Sequence, residues 1–259
     1  MNAEEMRGLF DLSGKAAIVT GGSGGLGQAA AAGLAAYGAS VVITARRLDA
    51  LKAAAAEIEA AGGKVLPLSC DVTDEKSVES MVKQTVDEMG GVDILLTAAG
   101  VARRAPAEEM GMEDWDLVMD TNVKGTFLCC KHAGRVMIEQ KAGKIVTVSS
   151  VRAVLGHPLG YAAYGTSKGA INLLTRQLAT EWAKHNINVN SIAPCIFHTP
   201  LTEPVLSNPE SAKIFLDRIP LGRAAEPEDF IGSTVFLASA ASDFVTGQIL
   251  YVDGGNVAG

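Results

Sequence analysis

The sequence predicts a single α/β domain built on a doubly wound, parallel sheet of seven strands. Short runs rich in β-branched residues alternate with longer stretches of helical periodicity. The short runs are apolar throughout, which is typical of strands buried on both faces of a parallel sheet by helices. The seven predicted strands are residues 16–20, 40–44, 64–68, 92–97, 144–149, 187–192 and 248–252.

The stretches between these runs carry apolar residues at three- and four-residue spacing, as amphipathic helices do. No repeat of 20–50 residues and no charged linker interrupts the alternation, so one domain spans residues 1–259. Thr73 is expected to cap the first turn of the clearest helix. The apolar face of that helix contains Val78, Met81, Val82, Thr85, Val86 and Met89, and a second helical face contains Ile171, Leu174, Leu178 and Trp182.

Composition excludes several classes of function. The 259 residues are 48% hydrophobic and 20% charged, with a formal net charge of −7 and a pI near 5.2. An acidic chain lacks the basic face that nucleic acid or an anionic membrane requires. No apolar run approaches the roughly 20 residues that span a bilayer, and residues 1–12 do not resemble a signal peptide. We therefore expect a cytoplasmic protein with neither partner.

The Cys and His residues show no metal-ligand spacing. The four cysteines include no Cys-x-x-Cys pair, and the four histidines are far apart in the sequence. We expect free thiols in a reducing compartment and no metal site.

A glycine-rich turn follows the first predicted strand. Residues 20–28 read Thr-Gly-Gly-Ser-Gly-Gly-Leu-Gly-Gln and lead into an Ala-rich helix. Glycines permit a tight turn and bring backbone N–H groups close to a pyrophosphate at the helix N-terminus. Between a strand and a helix, the pattern predicts a dinucleotide site formed by Gly21, Ser23, Gly25, Leu26 and Gly27.

The end of the second strand indicates which dinucleotide is bound. Enzymes that prefer NAD(H) usually have an acidic residue there for the ribose 2′-OH. Here Arg46 and Arg47 follow the strand. A guanidinium binds a 2′-phosphate bidentately, so we expect NADP(H), with NAD(H) as the second choice. The alternative is a solvent-exposed basic pair at the start of a helix.

A tyrosine and a lysine lie four residues apart in the segment Tyr164-Gly165-Thr166-Ser167-Lys168. On a helix, both side chains project from one face. A fixed cation favours phenolate and lowers the tyrosine pKa from its usual value of about 10. The pair is therefore expected to transfer a proton while hydride moves between a cofactor and a carbonyl or alcohol. Taken alone, the same spacing is also common on helix surfaces.

Several spaced motifs together resemble those of the short-chain dehydrogenase/reductase family, over essentially the whole chain. The resemblance implies a single-domain Rossmann fold with a cofactor half at about 13–150 and a catalytic and substrate half at about 151–259. It also implies a homotetramer. Besides the glycine turn and the Tyr164 segment, the matching motifs are Asp71-Val72, Ala98-Ala99-Gly100, Thr121-Asn122-Val123, Ser149-Ser150 and Val252-Asp253-Gly254-Gly255.

The resemblance assigns roles to these motifs. It implies that Ser150 and Tyr164 polarise the substrate oxygen, that Tyr164 exchanges the proton, and that Lys168 and Asn122 relay it through water. Further cofactor contacts are implied for Asp71, Val72, Ala98, Ala99, Gly100, Tyr164, Lys168, Pro194, Phe197 and Thr199.

The chain departs from the family pattern at three places. Thr97 replaces the usual Asn before Ala-Ala-Gly, and its hydroxyl is expected to make some of the same strand contacts. Cys195 replaces the usual Gly after Pro194, which is expected to narrow the nicotinamide site. The interval between Ser150 and Tyr164 is one residue longer than usual, which leaves Ser149 as an alternative to Ser150.

The loop after Ser150 and a lid at residues 200–220 are expected to enclose a small carbonyl or alcohol substrate. Candidate substrate contacts are Arg152, His157, Tyr161 and Leu201, with the pair Arg103-Arg104 nearby. A 3-oxoacyl thioester, a sugar acid of the kind used by gluconate 5-dehydrogenases and other secondary alcohols all remain open, with NADP(H) or NAD(H). A dinucleotide-binding sensor or scaffold is the alternative of another class.

Overall fold

The computed structural model describes residues 1–258 and contains one sheet of seven parallel strands. They are β1 (Ala16–Thr20), β2 (Ser40–Ala45), β3 (Lys64–Ser69), β4 (Ile94–Thr97), β5 (Gly143–Val148), β6 (Ile187–Pro194) and β7 (Ile249–Val252). Their spatial order is β3-β2-β1-β4-β5-β6-β7, which confirms the predicted fold class. The strand order reverses between β1 and β4, where sheets of this kind bind ligands.

Ten α-helices connect or flank the strands within the described residues. They are α1 (Ala3–Gly8), α2 (Gly25–Ala36), α3 (Leu48–Ala60), α4 (Glu75–Met89), α5 (Met112–Met119), α6 (Gly125–Gln140), α7 (Ala162–Trp182), α8 (Glu203–Leu206), α9 (Pro209–Leu216) and α10 (Ile231–Ala238).

Successive residues of each central strand enter two separate cores. Ala17 and Val19 of β1 pack with α2, α3 and α10, whereas Ile18 between them packs with α4, α6 and α7. Because a strand presents successive side chains to opposite faces, a sheet covered on both faces needs an unbroken apolar run. The apolar runs in the sequence therefore predicted both the strands and the two helical layers.

The lid predicted at residues 200–220 contains two short helices, α8 and α9. Val205 and Phe215 pack with Ile196, Ile219 and Ala224 in a third apolar cluster, apart from the two main cores. The lid is thus anchored on the chain that leaves β6 and covers the carboxyl end of the sheet.

Helix α4 begins one residue later than the predicted cap implied, so the assignment of Thr73 as its N-cap is wrong. Asp74 caps the helix, and its carboxylate accepts a hydrogen bond from the Lys76 backbone (3.1 Å). The Thr73 hydroxyl instead donates to Asp71 (2.8 Å). The predicted apolar face is correct, because Val78, Met81, Val82 and Thr85 are buried.

Helices α5 and α6 meet in a single π-helical turn, Asp120–Lys124, with Asn122 buried inside it. A π-helical turn contains one more residue than an α-helical turn, and such turns often occur at functional sites. Within this turn, the Asn122 side chain bonds the backbone of Val101, just beyond the carboxyl end of β4.

The remaining expectations concern the chain as a whole. Within residues 1–258, no helix is both long enough and apolar enough to cross a bilayer. Cys129 and Cys130 are buried on α6, and all four cysteines are free thiols. The division near residue 150 into a cofactor half and a substrate half stays a prediction.

Candidate active site

The carboxyl ends of β1, β4, β5 and β6 line a cleft of about 350 Å³, called here the cofactor cleft. The structure brings most of the predicted cofactor residues together in it. These are Gly21, Ser23, Gly25, Leu26, Gly27, Arg47, Ala98, Ala99, Gly100, Tyr164, Lys168, Pro194, Phe197 and Thr199. Arg46, Asp71 and Val72 lie outside its walls.

Two positions of the glycine turn, Gly21 and Gly27, have no room for a side chain. Gly21 has a φ of +70°, and a Cβ on it would lie 2.8 Å from the backbone of Ala98. A Cβ on Gly27 would lie 2.2 Å from the carbonyl oxygen of Gly21. The turn therefore packs directly on β4 and on the first turn of α2, which leaves backbone and a helix N-terminus at the cleft wall. A cradle of this kind fits a dinucleotide pyrophosphate.

Arg46 and Arg47 lie just beyond β2 and are both exposed. Within residues 1–258, neither forms an ion pair. Arg47 lines the cofactor cleft, whereas Arg46 lies towards Asp71. Hydrogen bonds from Thr73, and secondarily the charge of Arg46, lower the pKa of Asp71. Two cations with free donors thus flank the end of the cleft nearest β2.

Tyr164 and Lys168 lie one turn apart at the start of α7, as the sequence predicts. Lys168 is 6% exposed, and its Nζ donates to the carbonyl oxygen of Val148 at the end of β5 (2.7 Å). The same Nζ lies 5.6 Å from the centre of the Tyr164 ring. The strand end therefore holds the ammonium group beside the phenol.

The two pKa values differ from the expectation. Burial raises the pKa of Tyr164 to about 12, and a hydrogen bond with Ser150 offsets only part of that rise. Burial also lowers the pKa of Lys168 to about 8. The expectation of a lowered tyrosine pKa is therefore wrong for this chain, because loss of hydration favours the neutral form of both groups. The phenol is held protonated, in the state that a proton donor needs.

Asn122 joins the start of α7 to the end of β4. Its Nδ2 donates to the carbonyl oxygen of Val101 and to the Ser167 hydroxyl, both at 3.0 Å, and its Oδ1 accepts from the Val101 backbone (2.8 Å). A Cβ on Gly100 would lie 3.2 Å from Asn122 Oδ1 and 3.8 Å from Lys168 Nζ. The amide and the ammonium therefore face the same small space.

Ser149 and Ser150 have different surroundings after β5. The Ser149 hydroxyl donates to the carbonyl oxygen of Lys168 (3.1 Å), and Ser149 lines the cofactor cleft. Ser150 shares a separate cavity with Tyr164, and its hydroxyl accepts from the Arg152 backbone (3.1 Å). Ser150 is therefore the serine that shares the separate cavity with the Tyr164 phenol, and its contact with a substrate stays a prediction.

The cavity shared by Ser150 and Tyr164 has a volume of about 230 Å³ and is called here the inner pocket. It lies under the lid, with walls that include Arg104, Arg152, Tyr161, Cys195, Ile196, Leu201, Val205 and Phe215. Cys195 and Leu201 also line the cofactor cleft, so both lie at the junction of the two cavities. Burial raises the pKa of Cys195, which is therefore a neutral thiol at that junction.

Arg152 is a buried cation in the inner pocket. It is 8% exposed, and its Nη1 donates to the carbonyl oxygens of Leu155 (3.4 Å) and Gly156 (3.1 Å). No carboxylate within residues 1–258 pairs with it, and burial lowers its pKa. Arg103, by contrast, is exposed, bonded to Asp114 (3.1 Å) and absent from the pocket wall.

A second, wider cavity of about 1180 Å³, called here the outer basin, borders the inner pocket at Arg152. Arg104, Arg152 and Tyr161 belong to both cavities. His157 lines the outer basin but not the inner pocket, and Leu201 lines the inner pocket but not the outer basin, so the four predicted substrate residues divide between two adjacent cavities.

Two details of the site were not predicted from the sequence. The expected strand contacts of Thr97 are absent, because its buried hydroxyl has no hydrogen-bond partner within residues 1–258. The Thr20 hydroxyl accepts the Ala99 N–H instead (3.1 Å). Ser167 was also missed as the link between Asn122 and the Tyr164 carbonyl oxygen, although its place inside the Tyr-to-Lys segment was a usable signal.

Fold and site together define a dinucleotide-binding oxidoreductase, and comparison with known proteins agrees. The family model described as Enoyl-(Acyl carrier protein) reductase matches residues 21–256. Gluconate 5-dehydrogenase of Gluconobacter oxydans (strain 621H) is 43% identical over 247 residues, covering 95% of this chain and 96% of that protein. The (2S)-[(R)-hydroxy(phenyl)methyl]succinyl-CoA dehydrogenase subunit BbsD of Thauera aromatica is 38% identical, covering 94% and 97%.

A solved structure is also similar to this chain over almost its whole length. It is a gluconate 5-dehydrogenase from Burkholderia cenocepacia J2315 in complex with NADP and tartrate, with a TM-score of 0.93 at 34% identity. The alignment covers 97% of this chain and 98% of that one. This chain belongs to the short-chain dehydrogenase/reductase family and is an NAD(P)-dependent oxidoreductase acting on CH–OH groups. The predicted enzyme class is confirmed.

Proposed function

We propose that this enzyme is an NADP(H)-dependent oxidoreductase of sugar acids, which interconverts a hydroxyl and a ketone on a carbon chain that also carries a carboxylate. One observation carries the proposal. Arg152 is buried in the inner pocket beside Ser150 and Tyr164 without an acidic partner within residues 1–258. A buried charge is unfavourable unless it is paired, so the pocket is suited to an anionic substrate.

The relatives support this substrate class. The Gluconobacter oxydans protein is named for gluconate, a six-carbon acid, and the Burkholderia cenocepacia protein contains tartrate, a dicarboxylate. Arg104, the second cation of the inner pocket, forms no ion pair within the described residues and lies 5.9 Å from the centre of the Tyr161 ring. Both arginines therefore have donors left for a carboxylate.

The chain's own residues supply the proton chemistry in this proposal. A bound nicotinamide supplies or accepts the hydride at the substrate carbon. In reduction, Ser150 and Tyr164 donate hydrogen bonds to the carbonyl oxygen, and Tyr164 gives its proton as that oxygen becomes a hydroxyl. Lys168 stabilises the phenolate that remains, and Asn122 orients the route by which a proton returns. Oxidation of the alcohol runs through the same groups in reverse.

The preference for NADP(H) rests on Arg46 and Arg47. Both are exposed and unpaired within residues 1–258, at the end of β2, where an acidic residue would repel a 2′-phosphate. The Burkholderia cenocepacia structure contains NADP, which supports the same choice.

A 3-oxoacyl thioester is the second candidate substrate. Ile196, Val205 and Phe215 form an apolar part of the wall of the inner pocket, and such a wall suits an acyl chain better than a polyol. The description of the matching family model and the name of the Thauera aromatica protein both refer to acyl compounds.

A substrate panel tests the proposal. Oxidation of NADPH and of NADH is followed with 5-keto-D-gluconate and with acetoacetyl-CoA. We expect the highest kcat/KM for NADPH with 5-keto-D-gluconate. It should exceed the values for NADH with the same keto acid and for NADPH with acetoacetyl-CoA by about tenfold or more. A higher kcat/KM for the thioester would favour the second candidate. A preference for NADH would contradict the role given to the two arginines. The homotetramer, which stays a prediction, is checked on the same preparation by light scattering.

A further inference from the structure

His157 is a polar residue that has no role in the proposed reaction. Its Nε2 is buried and has no hydrogen-bond partner within residues 1–258. The other ring nitrogen, Nδ1, accepts a hydrogen bond from the Leu159 backbone (3.2 Å). Because Nδ1 is an acceptor, the proton of the neutral ring resides on Nε2. The imidazole therefore holds one N–H donor with no acceptor in the chain.

The His157 ring is held in a fixed position between the lid and the start of α7, the helix that carries Tyr164 and Lys168. It stacks on Phe215 of α9, with ring centres 4.5 Å apart and planes 24° apart. It meets Tyr161, the residue before α7, edge to face at 5.2 Å. Tyr161 in turn lies 6.0 Å from the Tyr164 ring. His157 is thus two aromatic contacts away from the group that reacts.

Every charged group that acts on this ring is a cation. Burial, followed by the charges of Arg152, Arg218 and Arg104, lowers the pKa of His157 to about 4. The imidazole is consequently neutral at physiological pH, with its proton fixed on Nε2. A neutral donor in the positive field of three arginines has an anion as its natural acceptor.

We propose that His157 is a specificity-determining residue, whose Nε2–H donates to the substrate carboxylate together with Arg152. The inference rests on the proposed function and extends it, because it assigns the carboxylate end of the substrate to the junction of the inner pocket and the outer basin. Arg152 supplies the charge, and His157 supplies a donor of fixed direction. Because Phe215 holds the ring, the lid takes part in recognising the acid.

This arrangement distinguishes an acid from the alcohol of the same shape. D-Gluconate and D-glucitol differ only at C1, where a carboxylate replaces a hydroxymethyl group. A hydrogen bond to a charged acceptor contributes about tenfold or more to binding, whereas one to a hydroxyl contributes less. Loss of the Nε2–H should therefore raise the KM of D-gluconate and leave D-glucitol nearly unchanged.

Two variants isolate the donor. His157→Phe keeps a ring between Phe215 and Tyr161 but has no N–H, and His157→Gln restores a neutral N–H donor. With NADP⁺, we expect His157→Phe to raise the KM for D-gluconate about tenfold while kcat and the KM for NADP⁺ stay nearly constant. His157→Gln should recover most of the loss. A KM for D-gluconate that does not change, or an equal change for D-glucitol, overturns the inference.

The pH dependence provides an independent readout. A neutral donor predicts a flat KM for D-gluconate between about pH 6 and 8. A KM that falls towards the acid end in the wild type but not in His157→Phe would show that a charged imidazolium binds the substrate, which also overturns the inference. If the wild type oxidises no sugar acid, the proposed function itself fails. Oxidation of D-gluconate that is insensitive to His157→Phe rejects the role of His157 alone.

Discussion

The cofactor cleft and the inner pocket meet at Tyr164 but are built in different ways. The cofactor cleft is formed by strand ends and by glycines such as Gly21 and Gly27, where a single Cβ would collide with backbone. The inner pocket is formed by the side chains of a loop and a lid, including Arg152 and Phe215. Binding of the cofactor is therefore a property of the fold, whereas choice of substrate depends on a few side chains.

The arginines of the two regions also differ, in how far water solvates their charges. Arg47 at the cofactor cleft is exposed, so water solvates its charge whether or not a ligand is bound. Arg152 in the inner pocket is 8% exposed and has only carbonyl oxygens as partners in the described chain. A ligand anion therefore gains more from Arg152 than from Arg47, because the desolvation of Arg152 has already occurred on folding.

The largest expected effect is at the residue that the two regions share. Tyr164→Phe removes the hydroxyl but keeps the ring that packs against Tyr161. We expect kcat to fall about 10²- to 10⁴-fold, with the Kd for NADPH nearly unchanged. Stopped-flow turnover and fluorescence titration of NADPH measure the two quantities. A variant that retains most of its kcat would show that another group supplies the proton.

The pKa values of this pair predict opposite pH profiles for the two directions. The phenol stays protonated up to a pKa of about 12, and Lys168 keeps its charge below its pKa of about 8 and loses it above. Ketone reduction should therefore be fastest below pH 8 and decline above it, while alcohol oxidation, which needs phenolate, should accelerate as pH rises. Profiles of kcat in both directions test this, and a decline in reduction that persists in Lys168→Arg would exclude Lys168 as its cause.

The next effect tests whether cofactor binding depends on backbone geometry. In Gly27→Ala the new Cβ would lie 2.2 Å from the Gly21 carbonyl oxygen, so the turn and α2 must separate. We expect the Kd for NADPH to rise about 100-fold. Gly232→Ala on α10 is the matched control, since a Cβ there meets nothing within 4 Å. If Gly27→Ala binds NADPH normally, the cradle is more tolerant than its geometry indicates.

A smaller effect, confined to the substrate, is expected at Arg152. Arg152→Met keeps much of the side-chain volume but removes the charge, and should raise the KM for a keto acid about 10- to 100-fold. The Kd for NADPH should not change, because Arg152 does not line the cofactor cleft. Arg152→Lys should retain part of the affinity. Equal losses for acid and neutral substrates would mean that Arg152 only supports the loop through Leu155 and Gly156.

The two regions also differ in how far the sequence predicted them. The strands, the glycine turn and the Tyr164–Lys168 pair follow from local patterns, because periodicity and φ requirements act over a few residues. The inner pocket was predicted only in part. Arg152, Tyr161 and Leu201 line it, but Arg103 and Arg104 are neighbours in the sequence and only Arg104 lines it. The raised pKa of Tyr164 was missed for a related reason. Desolvation depends on everything that packs around the phenol, and the four-residue spacing conveys only the position of Lys168.

The smallest expected effect is at the end of the sheet under the cofactor cleft, where Thr20 and Thr97 are paired in register on β1 and β4. Both are buried, but the Thr20 hydroxyl accepts the Ala99 N–H whereas the Thr97 hydroxyl has no partner within residues 1–258. An unpartnered buried hydroxyl is destabilising, and valine has the same shape without it.

These two threonines therefore predict opposite changes in the free energy of unfolding. Thr97→Val should stabilise the protein by about 1 kcal/mol, and Thr20→Val should destabilise it by about 1–2 kcal/mol because the Ala99 N–H loses its acceptor. Urea unfolding of both variants measures the difference. Destabilisation by Thr97→Val would mean that its hydroxyl is bonded in solution. The backbone end of the site would then depend on a side chain, and the contrast with the inner pocket would be weaker than the structure indicates.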